Sequence, residues 1–149
     1  MAPSQPGTGF ALTLERAIAA PPERVFDAFT QAETLSRWFA PTDQYTCTVH
    51  ECDARPGGRY RIEIRHTGGN VHIVHGIYEE VARPHRLAFS FAWENRPADG
   101  TSRVTVQLQQ AGAGTRLVLT QEQLPSTEVR DAHVGGWNGS LDKLTRLFA

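Results

Sequence analysis

Apolar and polar residues alternate along most of the chain, and changes in their period divide it into elements. Phe10, Leu12, Leu14 and Ile18 are separated by small or polar residues, the period of a half-buried strand. Ala19-Ala20-Pro21-Pro22 breaks that pattern, and proline is pre-organised for a first helical turn. Val25, Phe26 and Phe29 then predict a short helix from Glu23 to Phe29. The Thr30-to-Glu33 spacing of a capping box predicts a second one, carrying Leu35, Trp38 and Phe39 and stopped by Pro41. Neither is long enough to stand without tertiary packing.

From Tyr45 to Glu122 the period is two. Cys47 to Asp53 is followed by Arg55-Pro56-Gly57-Gly58; Tyr60, Ile62 and Ile64 then alternate with Arg61, Glu63 and Arg65. One dry and one wet face imply antiparallel pairing. Gly68-Gly69-Asn70 is a hairpin turn, leading into a long strand from Val71 to Ala82. Leu87, Phe89, Phe91 and Trp93 mark the next strand, and Asn95 to Gly100 a loop. Val104, Val106 and Leu108 precede the turn at Ala111 to Gly114, and Leu117 and Leu119 close the series. At Ser126 the period changes: Val134, Trp137, Leu141, Leu144 and Phe148 recur at three and four, one face of a helix capped by Ser126. Gly135 and Gly136 interrupt it at a cost of roughly 1 kcal/mol each. Bare backbone there either lets another surface approach closely or leaves room for a ligand.

The order is one strand, two short helices, six strands and a long helix: an α+β domain with a seven-stranded antiparallel sheet and its helices on one face. Gly58 and Gly76 would help that sheet to curve. A chain of 149 residues suits one domain, expected over 10–149, after a disordered arm over 1–9. A net charge of −1 offers no basic field for nucleic acid. No signal peptide or membrane span is read, and a cytoplasmic location is expected. Cys47 and Cys52, five apart in one strand, are expected on opposite faces and unlinked.

Several segments are similar to one family. They are Arg16 to Thr30 (RAIAAPPERVFDAFT), Leu35-Ser-Arg-Trp-Phe39, Arg55-Pro-Gly-Gly-Arg-Tyr60 and Gly76-Ile-Tyr-Glu-Glu-Val81. Pro84-His-Arg-Leu-Ala-Phe89, Gly114-Thr-Arg-Leu117 and Gly136-Trp137 follow in the same order. Together they resemble the START-like helix-grip superfamily (SRPBCC), and within it the branch named after the activator of heat-shock protein 90 ATPase. The resemblance implies a curved sheet wrapped around the C-terminal helix, with a cavity between them for lipids or other apolar molecules. It also implies a co-chaperone role, which is discounted here: eukaryotic activators carry a separate chaperone-binding domain before this one, whereas a short arm is expected here.

The aromatic residues are the candidate chemistry. A ligand cavity is apolar with a few polar groups, and large stiff rings with a polar tip suit it. The expected ligand-binding residues are Trp38, Phe39, Tyr60, Ile62, His75, Tyr78, Phe89, Phe91, Trp93, His133, Trp137 and Leu141. His72 and His75 lie on opposite faces of one strand, so one of them would face the cavity; His75 is assigned to it. Of the adjacent Glu79 and Glu80, one should point inward, as a base or as the partner of Arg16, Arg59 or Arg61. Cysteines and histidines lack metal-ligand spacing, and no cofactor is expected. No residue set demands catalysis. The primary reading is a monomeric or homodimeric binder of a hydrophobic or aromatic small molecule. The alternatives are a polyketide cyclase or dehydratase-like enzyme using Tyr78, a histidine and a glutamate, and a chaperone regulator.

Overall fold

A computed structural model describes residues 9–149; the expected arm lies outside these except for Gly9. The element order is β1 (Phe10–Ile18), α1 (Pro22–Thr30), α2 (Ala32–Trp38), β2 (Tyr45–Cys52), β3 (Arg59–His66), β4 (Val71–Ala82) and β5 (Arg86–Trp93), followed by β6 (Ser102–Ala111), β7 (Gly114–Leu124) and α3 (Thr127–Leu147). A single 3-10 turn at Pro97–Asp99 lies in the β5–β6 loop. The strands form one seven-stranded antiparallel sheet in the order β1-β7-β6-β5-β4-β3-β2. Only the first strand is out of sequence order, and it pairs with the last. The sheet curves around α3, which is the helix-grip arrangement.

Local chemistry accounts for the helix ends. Pro22 occupies the first turn of α1, and Ser126 caps α3 by accepting from the Val129 N–H at 3.1 Å. The capping box does not form. Thr30 is the last residue of α1 and its hydroxyl donates back to the Phe26 carbonyl at 3.1 Å, so Gln31 begins α2 without a side-chain cap. Backbone bonding within α1 took the hydroxyl that α2 needed.

Two irregularities reset side-chain parity. A register shift between Val49 and Glu51 in β2 places Cys47 opposite Ile64 and Cys52 opposite Tyr60, so both thiols face the core rather than opposite sides. They are free, Cys47 against the Leu35 carbonyl and Cys52 donating to the Thr30 carbonyl at 3.2 Å. A second shift, between Tyr78 and Glu80 in β4, turns both glutamates outward. Glu79 pairs with Arg103 at 2.6 Å and Glu80 with Arg86 at 2.8 Å. The expected inward carboxylate is therefore absent, and Arg16 instead ties β1 to α3 through Asp142 and Asn138.

Candidate functional site

The first half of α3 stands clear of the sheet over a cavity of about 400 Å³. Ala132, Gly136 and Ser140, one turn apart, keep its α3 wall thin. Facing them are Tyr45 from β2, Ile64 from β3, His72 from β4, and Phe91 and Trp93 from β5. Phe39, Phe91 and Trp137 separate this space from the deeper core, with Trp137 5.7 Å from Phe39 and 5.9 Å from Phe91 between ring centroids. Beyond them lies a second void of only about 20 Å³, bordered by Trp38, Tyr60, Ile62, Tyr78 and Phe89. The first volume lies within the range of small-molecule sites, and the second is about that of one water.

Hydrogen bonds hold these rings in place. Trp137 donates from Nε1 to Gln121 Oε1 at 2.8 Å, Gln121 donates to Ser102 Oγ at 2.8 Å, and Ser102 donates to the Phe91 carbonyl. Gln121 is fully buried, so this chain fixes Trp137 to β5, β6 and β7 without solvent. Trp93 donates from Nε1 to His133 Nε2 at 3.1 Å, while His133 Nδ1 lies 2.7 Å from the Val129 carbonyl. An indole N–H can only donate and a carbonyl can only accept, so His133 is the neutral tautomer with its hydrogen on Nδ1. In the deeper core Trp38 donates to the Ala28 carbonyl and Tyr60 to the Ser90 carbonyl. Tyr78 Oη lies 3.5 Å from Cys52 Sγ. Burial pushes the hydroxyls of Tyr60 and Tyr78 well above the usual phenol range, which leaves them neutral packing groups.

The cavity is different. Ser140 is 5% exposed and lines it, yet its hydroxyl has no protein partner among the described residues. Thr145, one turn later, donates to the Leu141 carbonyl at 2.8 Å, the usual resolution for a helical hydroxyl. An unsatisfied buried hydroxyl costs about 1–3 kcal/mol. Asn95 Nδ2 donates to His72 Nδ1 at 3.0 Å, so the hydrogen of a neutral His72 is on Nε2. Among the described lining residues the charged ones are Arg96, Asp99 and Glu128, and Arg96 pairs with Asp99 at 3.1 Å.

Residues 19–149 match the model of the family described as Activator of Hsp90 ATPase homolog 1-like protein. The chain belongs to this family. Among solved structures, a protein of Chromobacterium violaceum is 31% identical, with a TM-score of 0.86 over 93% of this chain and 96% of that one. The AHSA1 protein of Silicibacter pomeroyi is 25% identical, with a TM-score of 0.79 over 92% and 96% of the two chains. A protein of Mycobacterium smegmatis at 19% identity shares the fold, with a TM-score of 0.81 over 98% and 94%. No curated protein matches the chain.

Within this family member the expected ligand-binding residues separate into groups. Phe39, Phe91, Trp93, His133 and Trp137 line the cavity. Trp38, Tyr60, Ile62, Tyr78 and Phe89 border only the small void, and Leu141 is fully buried in the packed core. His75 is misplaced: it faces outward, 3.1 Å from Glu94, because β4 buries Val74, Gly76 and Tyr78 on the other face. Arg61 donates twice to the same carboxylate and holds Glu94 below its usual range. His72, with the parity of Val74, is the histidine at the cavity. Tyr45, Ser140 and Gln121 were not anticipated. Ser140 follows Gly136 by one helical turn, and Gln121 shares parity with Leu117 and Leu119, so the periods contained both.

The two glycines of α3 are also resolved. A Cβ at Gly135 or Gly136 would meet nothing within 4 Å, so neither serves close packing. Gly136 borders the cavity. The close approach is at Gly139, where a Cβ would overlap the Pro41 carbonyl oxygen.

Proposed function

We propose that this protein, a single START-like domain over 10–149, binds a hydrophobic small molecule between the sheet and the first half of α3 and works in the cytoplasm. The observation that carries the reading is the cavity of about 400 Å³ walled by rings, with bare backbone at Gly136. No described helix is long and apolar enough to cross a membrane. The enzyme alternative needs Tyr78, a histidine and a glutamate around one volume. Tyr78 instead bonds Cys52, His75 and the glutamates Glu79 and Glu80 face outward to ion-pair partners, and of this set His72 alone lines the cavity. The co-chaperone alternative rests on the family's name.

Titration with the neutral dye Nile red tests the proposal. Binding should raise and blue-shift its emission, and Gly136→Leu, which grows a side chain into the cavity, should abolish the response. A dye response unchanged by both Gly136→Leu and Trp93→Ala would refute the site.

A further inference from the structure

The cavity's polar atoms are few, and they differ in what they offer. The charged groups stand together: Arg96 and Asp99 neutralise each other at 3.1 Å, and the remaining charged lining residue is Glu128. An anionic ligand would find no unpaired cation among the described lining residues and one carboxylate to repel it. Trp93, His133 and Trp137 have spent their polar atoms on protein partners. Ser140 has not. It is 5% exposed, it lines the cavity, and Gly136 one turn before it carries no side chain to cover it. Other helical hydroxyls, Thr30, Ser36 and Thr145, donate back to carbonyls of their own helices.

We propose that Ser140 is the polar anchor of the site, and that the ligand is an uncharged aromatic molecule carrying one hydroxyl or carbonyl group. Its ring lies against Gly136 and the walls formed by Phe91 and Trp93, and its oxygen exchanges a hydrogen bond with the Ser140 hydroxyl. Rings suit walls made of aromatic edges and faces, and a single neutral oxygen matches a group that both donates and accepts. This inference rests on the ligand-binding reading and adds the ligand's charge, class and point of attachment.

Three probes of one ring system test it: naphthalene, 2-naphthol and 2-naphthoate, followed by quenching of tryptophan emission in the full chain. The wild type should bind 2-naphthol about tenfold more tightly than naphthalene, the worth of one good neutral hydrogen bond, and should bind 2-naphthoate most weakly. Ser140→Ala, which suits a helix, should retain naphthalene binding and erase the preference for 2-naphthol. Gly136→Ala should weaken both neutral probes and keep their ratio. Naphthalene binding without a 2-naphthol preference, a preference that survives in Ser140→Ala, or 2-naphthoate binding as tight as 2-naphthol would each overturn the anchor while leaving the cavity reading intact. Failure of all three probes to bind would overturn the cavity reading and the anchor with it.

Discussion

The two halves of the interface between α3 and the sheet are equally aromatic, yet one is solid and the other hollow. Around Trp38, Tyr60, Tyr78 and Phe89 the rings close on about 20 Å³, whereas Phe91, Trp93, Tyr45 and His72 border about 400 Å³. Aromatic content therefore does not decide where the cavity lies. The helix does: Trp137 closes the packed half, Leu141 and Leu144 further along α3 are fully buried, and Ala132, Gly136 and Ser140 leave the other half open. The polar atoms follow the same division. The indole and phenol groups of the packed half find protein partners, while the Ser140 hydroxyl of the hollow half finds none among the described residues.

The largest effect should come from removing a fully buried side chain of the packed core. Leu141 is fully buried, and Leu141→Ala should cost about 3 kcal/mol through lost burial and a new cavity. Urea denaturation measures it; a loss as small as that of a surface substitution would mean that the core around Leu141 is not packed. Gln121 stands at the boundary between the halves. Gln121→Leu strands the Trp137 N–H and should cost about 2 kcal/mol, the penalty for a buried donor without a partner. An unchanged unfolding midpoint would show that the Trp137–Gln121–Ser102 chain holds nothing in place.

The glycines of α3 turn the comparison into a change of sign. Gly139→Ala drives a Cβ into the Pro41 carbonyl and should destabilise by about 1–3 kcal/mol. Gly136→Ala meets open space and removes a helix-breaking residue, so it should stabilise by about 1 kcal/mol while shrinking the cavity. The same substitution three residues apart should thus move the midpoint in opposite directions. If both variants shift it the same way, the helix does not stand clear of the sheet at Gly136.

The element order, the antiparallel sheet and the inward faces of β3, β5 and α3 were legible because hydrophobic period reports burial directly. The corrections arose where one residue breaks the period. The register shifts in β2 and β4 brought Cys47 and Cys52 to one face and sent Glu79 and Glu80 to the other, and alternation alone carries no mark of them. The histidine exchange has a different origin. His72 and His75 share apolar neighbours of both parities, and only the pairing of β4 with β3 and β5 decides between them. The division of the rings between cavity and core was illegible for a further reason, since it depends on distance from the helix. Gly136 carried that signal, but nothing in the sequence distinguished it from Gly139, where the backbone touches.

The two thiols of β2 give the finest test, because both belong to the packed half. Cys47 packs on Leu35 and Cys52 on Tyr78, residues that border the small void. Burial pushes the Cys47 thiol up from 9.0 to about 11 and raises that of Cys52 as well. The native state therefore holds these protons more tightly than the unfolded chain does. Unfolding releases protons once pH exceeds about 9, so their contribution to stability is complete below that value and declines as pH rises toward about 11. Melting temperature should accordingly fall more steeply between these values for the wild type than for Cys47→Ala. Identical pH profiles for the two proteins would place the Cys47 thiol in solvent and open the packed half at that edge.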